Sequence, residues 1–190
     1  MIYPPAEDSY FLSEILKKEI PKLLKENFNI KFLEIGTGSG IQLETAHNLG
    51  VKKENIYSCD INPDAVKHCN LLGYNCIHSD LFEAFKGRLN VKGNLVPLRF
   101  NIIIFNPPYL PEDNYDQEKD TSGGKKGDET VLKFLQQAKN YLASEGKIFL
   151  LLSSRTLIDR INKELKNYNK KFLGNEKLFY EELFVWELTV

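Results

Sequence analysis

The feature that most constrains this chain is a regular alternation of strand-like and helix-like segments, which runs from residue 7 to about residue 166. Short apolar runs predict strands, and apolar residues spaced three and four positions apart predict the helices between them. Phe100–Phe105 has the continuous apolar character of a central strand that is buried on both faces. The alternation therefore predicts an α/β fold with a mostly parallel sheet and helices on both faces.

The residues at the ends of each apolar pattern indicate where the individual helices and strands begin and end. The first helix covers residues 7–20 with Asp8 or Ser9 as its cap, and Pro21 either ends it or lets it resume to residue 26. The other predicted helices are 41–49, one that starts at Pro63, 128–142 and 156–168, and the strands are 31–35, 55–59, 75–77, 100–105 and 147–152. Strands near 171–173 and 183–190 have no helix between them, so they predict a terminal antiparallel hairpin.

Charge and cysteine usage narrow the class of protein. The 25 basic and 26 acidic residues nearly cancel, whereas a protein built mainly to bind nucleic acid usually has a basic excess. No apolar run approaches the ~18 residues of a membrane span, and the first residues do not resemble a signal segment, so a cytoplasmic location is expected. Cys59, Cys69 and Cys76 lack the paired spacing of a disulfide framework or a zinc site, so no metal is predicted.

Two polar features follow the first two predicted strands, at the end of the sheet where open α/β folds bind ligands. One is the turn Glu34-Ile35-Gly36-Thr37-Gly38-Ser39-Gly40. Its glycines allow a ligand to approach the backbone closely, and the Glu34 carboxylate suits an amino group better than a pyrophosphate. The other is Asp60, whose carboxylate is placed to accept hydrogen bonds from ribose hydroxyl groups.

The most specific feature is Asn106-Pro107-Pro108-Tyr109, which follows the central strand. The Asn106 side-chain oxygen and the next backbone carbonyl can together hold both hydrogens of a planar NH2 group. The prolines fix the backbone and remove competing N–H donors, and Tyr109 offers a flat face for stacking. The loop that follows, residues 110–127, is long enough to be functional or disordered.

These residues resemble the S-adenosylmethionine-dependent methyltransferases of the Rossmann-like class with a seven-stranded sheet. The segments Tyr3-Pro4-Pro5-Ala6-Glu7-Asp8-Ser9 and Gly123-Gly124-Lys125-Lys126-Gly127-Asp128-Glu129 narrow the resemblance to the HemK family of protein-glutamine N5-methyltransferases. The chain is most similar to the short archaeal and eukaryotic branch, which modifies the glutamine of Gly-Gly-Gln in class-1 translation release factors. The resemblance implies one methyltransferase domain over residues 1–190.

The resemblance also implies roles for single residues. Asn106, Pro107 and Tyr109 would clamp the substrate amide as catalytic residues. Asp60 would hold the ribose of S-adenosylmethionine, Asp80 its adenine amine and Ser9 its methionine part. The full set expected to hold the cofactor is Ser9, Glu34, Gly36, Gly38, Asp60, Asp80, Leu81 and Asn106.

A partner is implied in the same way. Short members of this branch work with a small zinc-binding activator protein that covers the sheet near its third strand. Here that region is residues 71–77, with Leu72, Tyr74 and Cys76 as candidate contacts, although the same residues could instead pack inside the domain.

Two other functions stay open at this point. The Asn-Pro-Pro-Tyr segment fits a methyltransferase that acts on an amino group of an RNA or DNA base equally well, although the balanced charge argues against it. A cofactor-binding scaffold without catalysis is the second alternative, and the intact clamp at Asn106 argues against that one.

Overall fold

The computed structural model describes residue 2 and residues 4–89, 95–96, 98–108, 128–156 and 158–190, with only the backbone described at 88, 89, 95 and 96. Tyr109 and the predicted loop 110–127 lie outside the described residues. The helices are α1 (Glu7–Glu26), α2 (Ile41–Asn48), α3 (Pro63–Leu71), α4 (Glu129–Ala138) and α5 (Ile158–Leu165). The strands are β1 (Phe32–Ile35), β2 (Ile56–Asp60), β3 (Asn75–His78), β4 (Arg88–Leu89), β5 (Leu95–Val96), β6 (Phe100–Phe105), β7 (Leu142–Ser153), β8 (Asn169–Lys177) and β9 (Glu182–Thr189).

Seven of these strands form one sheet in the order β3-β2-β1-β6-β7-β9-β8. Strand β9 runs antiparallel to both of its neighbours, and every other pairing in the sheet is parallel. The predicted seven-stranded, mostly parallel sheet with a terminal hairpin is confirmed. The strand order reverses between β1 and β6, and such a switch point is where open α/β sheets form a ligand crevice.

The two faces of the sheet carry separate apolar cores. Ile102 and Ile104 of β6 pack with buried residues of α1, α2 and α3, whereas Ile103 and Phe105 pack with residues of α4 and α5. This alternation along one strand follows from the period of two in a pleated strand. Helices therefore cover both faces, as predicted, and all three cysteines are buried.

Helix α1 agrees with one of the predicted alternatives at its end and differs from the sequence prediction at its start. It continues through Pro21 to Glu26, which is the second of the two predicted alternatives. Its cap is Ala6, which makes no side-chain hydrogen bond, so the prediction of Asp8 or Ser9 as the cap was wrong. Asp8 instead lies in the first turn, where its carboxylate accepts from the backbone N–H of Ser9 at 2.7 Å and from the side chain of Asn106.

Helix α4 ends four residues before its predicted end, and β7 begins five residues earlier than predicted. The backbone N–H of Phe100 donates to the carbonyl oxygen of Tyr141 at 2.8 Å. This bond and the pairing of Phe100 with Leu142 draw the chain into the sheet directly after the helix. The short hairpin β4–β5 was not predicted. No helix among the described residues is long and apolar enough to cross a membrane.

Candidate active site

The carboxyl ends of β1, β2 and β6 lie side by side in the sheet. Ile35 at the end of β1 is level with Cys59 of β2 on one side and with Phe105 of β6 on the other. The glycine turn follows β1, Asp60 is the last residue of β2, and Asn106 follows β6. The sheet thus brings together the three features that the sequence placed after strands.

The glycine turn folds back onto β2. Gly36, Gly38 and Gly40 have φ angles of 67°, 51° and 80°, a backbone region that glycine adopts without the cost of a Cβ. The backbone N–H of Gly36 donates to the carbonyl oxygen of Cys59 at 2.8 Å. The turn is therefore fixed in its conformation, and Gly36 within it is exposed to solvent.

Glu34 lies beneath this turn, buried from solvent. Burial raises the pKa of its carboxyl well above the ordinary value of 4.5, the hydrogen bond from Thr37 opposes this shift, and the charge of Asp60 adds to it. The Thr37 hydroxyl donates to Glu34 Oε2 at 2.8 Å. The ionised form of such a buried carboxyl is stabilised when a cation lies beside it.

Asp60 joins the glycine turn to the turn that precedes α3. Its Oδ2 accepts from the backbone N–H of Gly38 and its Oδ1 from the backbone N–H of Asn62, both at 2.8 Å. The cap of α3 is the side chain of Asn62, which accepts from the N–H of Asp64 at 2.9 Å. Because an ionised carboxylate offers about four acceptor positions, Asp60 can hold the turn and also accept from ligand hydroxyls.

Asp80 and Leu81 follow β3 at the same end of the sheet. Lys133 of α4 forms an ion pair with Asp80 at 2.5 Å, and both side chains are partly exposed. Leu81 is buried and takes a positive φ of 49°, which costs a residue with a side chain about 1–3 kcal/mol and is commonest at functional sites. The carbonyl of Leu81 accepts from the hydroxyl of Ser79 at 3.0 Å, which holds this strained turn.

Asn106 is oriented by a residue of helix α1. Its Nδ2 donates to Asp8 Oδ2 at 2.8 Å. Its Oδ1 is buried and has no hydrogen-bond partner among the described residues. A buried acceptor without a partner is costly, so this oxygen is the group that a bound N–H donor would satisfy. Pro107, which follows, is buried as well.

The start of α1 is itself held against α2. The Gln42 side-chain amide donates to the backbone carbonyl of Ser9 at 2.7 Å and accepts from the Ser13 hydroxyl at 2.9 Å. The hydroxyl of Ser9, predicted to reach the cofactor, donates to Asp8 Oδ1 at 3.3 Å. Sequence reasoning thus missed Asp8 and Gln42, although Asp8 belongs to the segment 3–9 that carried the family resemblance.

Comparison with known proteins identifies the chemistry. The family model described as Eco57I restriction-modification methylase matches residues 77–181, more than half of the chain, and this span includes Asn106. A Methanocaldococcus jannaschii protein that is named as a protein N5-glutamine methyltransferase is 34% identical over 98% of this chain and 92% of its own length.

The chain belongs to the protein N5-glutamine methyltransferase family. A second relative of this methyltransferase is the eRF1 methyltransferase catalytic subunit of Schizosaccharomyces pombe, which is 26% identical over 93% of this chain and 82% of its own length. The cofactor of the methyltransferase is S-adenosylmethionine, and solved neighbours of the same fold contain this compound or S-adenosylhomocysteine.

Among solved structures, the Mtq2–Trm112 complex of E. cuniculi, which methylates the eRF1 translation termination factor, has the same fold. It superposes with a TM-score of 0.67 at 22% identity, over 98% of this chain and 97% of the matched chain. The fold predicted from the sequence for this methyltransferase is therefore confirmed.

Proposed function

We propose that this methyltransferase transfers a methyl group from S-adenosylmethionine to the N5 nitrogen of the glutamine in a Gly-Gly-Gln segment of a class-1 release factor. The observation that carries the proposal is the buried Asn106 Oδ1, which lacks a partner among the described residues while Nδ2 is held by Asp8. An acceptor in this state suits one hydrogen of a planar primary amide. The names of two relatives point to the same substrate class.

The residues around the glycine turn fit S-adenosylmethionine. Its ammonium group would lie near Glu34, which is buried and gains from a neighbouring cation. Its ribose hydroxyls would donate to Asp60, and the adenine would lie against Asp80 and Leu81. Gly36 and Gly38 would form the floor, with Ser9 helping to hold the segment on the methionine side. When bound, the cofactor supplies an electrophilic methyl carbon on a sulfonium.

The glutamine amide is a poor nucleophile, because its nitrogen lone pair is delocalised into the carbonyl. Asn106 Oδ1 and the Pro107 carbonyl would each accept one amide hydrogen, which points the nitrogen in a fixed direction and stabilises the positive charge that grows on it. Tyr109 would complete the clamp by stacking. Positioning of this kind can lower a barrier by up to about 7–11 kcal/mol. After transfer, the nitrogen loses its extra proton to solvent water.

The test is an intact-mass assay on a release factor that contains Gly-Gly-Gln, followed by peptide mapping. We expect a gain of one methyl group on that glutamine with the wild-type chain and none with Asn106→Ala. The match to a restriction-modification methylase family makes a nucleic-acid base the competing substrate. Labelling of total RNA or DNA in place of the factor would overturn the proposal.

We further propose that a small zinc-binding activator protein covers the β3 edge of the sheet. Strand β3 is an edge strand. Apolar side chains are exposed on it at Ile77 and at the end of the preceding helix at Leu71 and Leu72, and Leu71 is 78% exposed. Tyr74 and Cys76 are buried, so at these two positions the second alternative, packing inside the domain, is the one found. Exposed apolar residues grouped on one surface are typical of a protein interface.

The backbone of this edge is already partly satisfied. The Asn70 side chain donates from Nδ2 to the carbonyl of Cys76 at 2.9 Å and accepts from its N–H at 3.2 Å. The proposed contact is therefore made chiefly through the apolar side chains. We expect Leu71→Asp with Leu72→Asp to abolish co-purification of the activator. Phe28→Asp, at an exposed aromatic that precedes β1, is the control and should leave co-purification unchanged.

A further inference from the structure

Two aromatic side chains are exposed at the tip of the β8–β9 hairpin. Phe179 is 90% and Tyr180 is 83% exposed, and their rings contact each other edge to face with centroids 4.6 Å apart. Tight hairpin turns favour Asn, Asp and Gly. Two adjacent aromatic residues at such a turn, outside the core, point to a binding surface.

The tip lies at the carboxyl end of the sheet, as the active site does. Ser153, the last residue of β7, is level with Leu183 of β9, and the N–H of Ser154 donates to the carbonyl of Glu182 at 2.7 Å. The turn between β8 and β9 therefore stands beside the end of β7, which is the neighbour of β6. Strands are spaced by about 4.8 Å, so β8 is about 14 Å from β6, the strand that carries Asn106.

Hydrogen bonds fix this tip. The N–H of Leu178 donates to the carbonyl of Glu181 at 2.8 Å and closes the turn. The Ser153 hydroxyl donates to the Glu181 carboxylate, and the N–H of Glu182 donates to the Ser154 hydroxyl at 2.9 Å. A surface that is already ordered loses little conformational freedom when it binds a partner.

We propose that Phe179 and Tyr180 form a docking surface for the protein substrate, beside the segment that carries the target glutamine. This inference rests on the proposed function. An extended chain advances about 3.3–3.6 Å per residue, so the tip meets residues at least about four positions from the glutamine, or another part of the substrate's surface. A short peptide centred on the glutamine does not reach it.

The activator does not compete for this surface. Its proposed site is on β3, and β3 and β8 are the opposite edges of the sheet. Six strand spacings separate them, about 29 Å. The occupant of the tip is therefore the macromolecule that approaches the carboxyl end of the sheet, which is the substrate.

The test compares wild type, the double variant Phe179→Ala with Tyr180→Ala, and the control Phe28→Ala, which removes an aromatic side chain of 76% exposure from the other end of the sheet. Each full chain is assayed on an intact release factor and on a capped Gly-Gly-Gln tripeptide. We expect KM for the intact factor to rise at least tenfold in the double variant. The kinetic constants for the tripeptide and the affinity for S-adenosylmethionine should stay within twofold, and Phe28→Ala should match wild type.

An unchanged KM for the intact factor, or an equal loss on factor and tripeptide, would overturn the docking surface while leaving the proposed function intact. A wild-type chain that methylates neither substrate would remove the proposed function and this inference with it. Sedimentation of the same variants adds one more outcome. If wild type is a dimer, the double variant is a monomer and KM is unchanged, the tip binds a second copy of this chain and the inference is wrong.

Discussion

Asp8 and Asn106 lie 98 residues apart in the chain, and the amide nitrogen of Asn106 donates to the carboxylate of Asp8 at 2.8 Å. An ionised carboxylate only accepts hydrogen bonds, so it selects one of the two orientations of the Asn106 amide. In that orientation the nitrogen faces helix α1, and the oxygen has no partner among the described residues. The relationship makes Asp8 a positioning residue for the acceptor on which the proposed reaction depends.

Asp8→Asn should lower kcat with little change in the KM for the substrate. Asparagine presents both a donor and an acceptor, so Asn106 is no longer held in one orientation. Hydrogen bonds to charged groups contribute about 1.5–3 kcal/mol, which corresponds to a loss of about 10–100-fold in kcat. The measurement is steady-state kinetics together with a thermal melt. Asp8→Glu, which keeps the charge, should recover part of the rate, and a rate equal to wild type in Asp8→Asn would contradict the positioning role.

Asn106→Ala should abolish turnover and leave cofactor affinity within about tenfold, a difference of 1.4 kcal/mol. The reason is that this variant removes the substrate acceptor and leaves the glycine turn, Glu34 and Asp60 in place. Calorimetry with S-adenosylmethionine and a single-turnover methylation assay give the two values. Methyl transfer at the wild-type rate in a single turnover would show that the amide is held by another group.

Glu34→Gln should raise the free energy of unfolding and weaken cofactor binding. The pKa of Glu34 is raised in the folded state, so the folded protein binds this proton more tightly than the unfolded chain. The stability associated with the group is therefore present below pH 4.5 and is lost as pH rises towards the raised pKa. The variant keeps a carbonyl acceptor for Thr37 and carries no charge, so its free energy of unfolding should exceed that of wild type increasingly as pH rises through this window.

Denaturant unfolding at several pH values, with and without S-adenosylmethionine, measures both effects. The cofactor should stabilise wild type more than Glu34→Gln, because only the carboxylate pairs with the ammonium group. Equal stabilisation of both proteins would show that the ammonium group of the cofactor does not lie beside Glu34.

Asp60→Ala should weaken cofactor binding more strongly than any change at an exposed acid nearby. It removes the proposed ribose acceptor and also releases the backbone N–H groups of Gly38 and Asn62. Charge-assisted hydrogen bonds contribute about 1.5–3 kcal/mol each, so loss of two ligand contacts predicts a rise in Kd of at least about 100-fold. Asp64→Ala, at the exposed first turn of α3, is the matched control. Similar Kd values for the two variants would argue against the ribose site.

Asn70→Ala should expose the backbone of the β3 edge. The N–H and carbonyl of Cys76 lose their side-chain partner, which leaves an open strand edge of the kind that pairs with other chains. We expect greater self-association of the isolated chain, measured by light scattering, and less of it when the activator is co-expressed. A variant that stays as monodisperse as wild type without the activator would show that this side chain does not protect the edge.

The sequence predicted those parts of the site that follow from strand ends. Gly36, Asp60 and Asn106 each come directly after an apolar run, and parallel strands align their ends, so their proximity in the structure was foreseeable. The role of Asp8 was not, because its partner is 98 residues away and a residue in the first turn of a helix is more simply read as a cap.

The choice between burial and partner contact at Tyr74 and Cys76 was left open by the sequence. Residues 71–77 include exposed and buried apolar side chains in close succession, and only the packing of α3 against β2 and β3 separates them. The early end of α4 has a similar origin, because the Phe100 N–H competes for the backbone of Tyr141. In both places, tertiary contacts rather than local propensity determine the structure.

The contact between α1 and Asn106 implies that cofactor binding and orientation of the substrate amide can be lost independently. The floor of the proposed cofactor pocket is built by β1, β2 and the turns that follow them, and Ser9 is the one residue proposed to hold the cofactor that lies in the first turn of α1. The proposed acceptor for the substrate, Asn106 Oδ1, is oriented through Asp8 in that turn, which Gln42 holds against α2. Fraying of a single helical turn would therefore leave most of the proposed cofactor contacts in place while the Asn106 amide loses its orientation. Titration of cofactor binding alone would then overstate the fraction of active molecules.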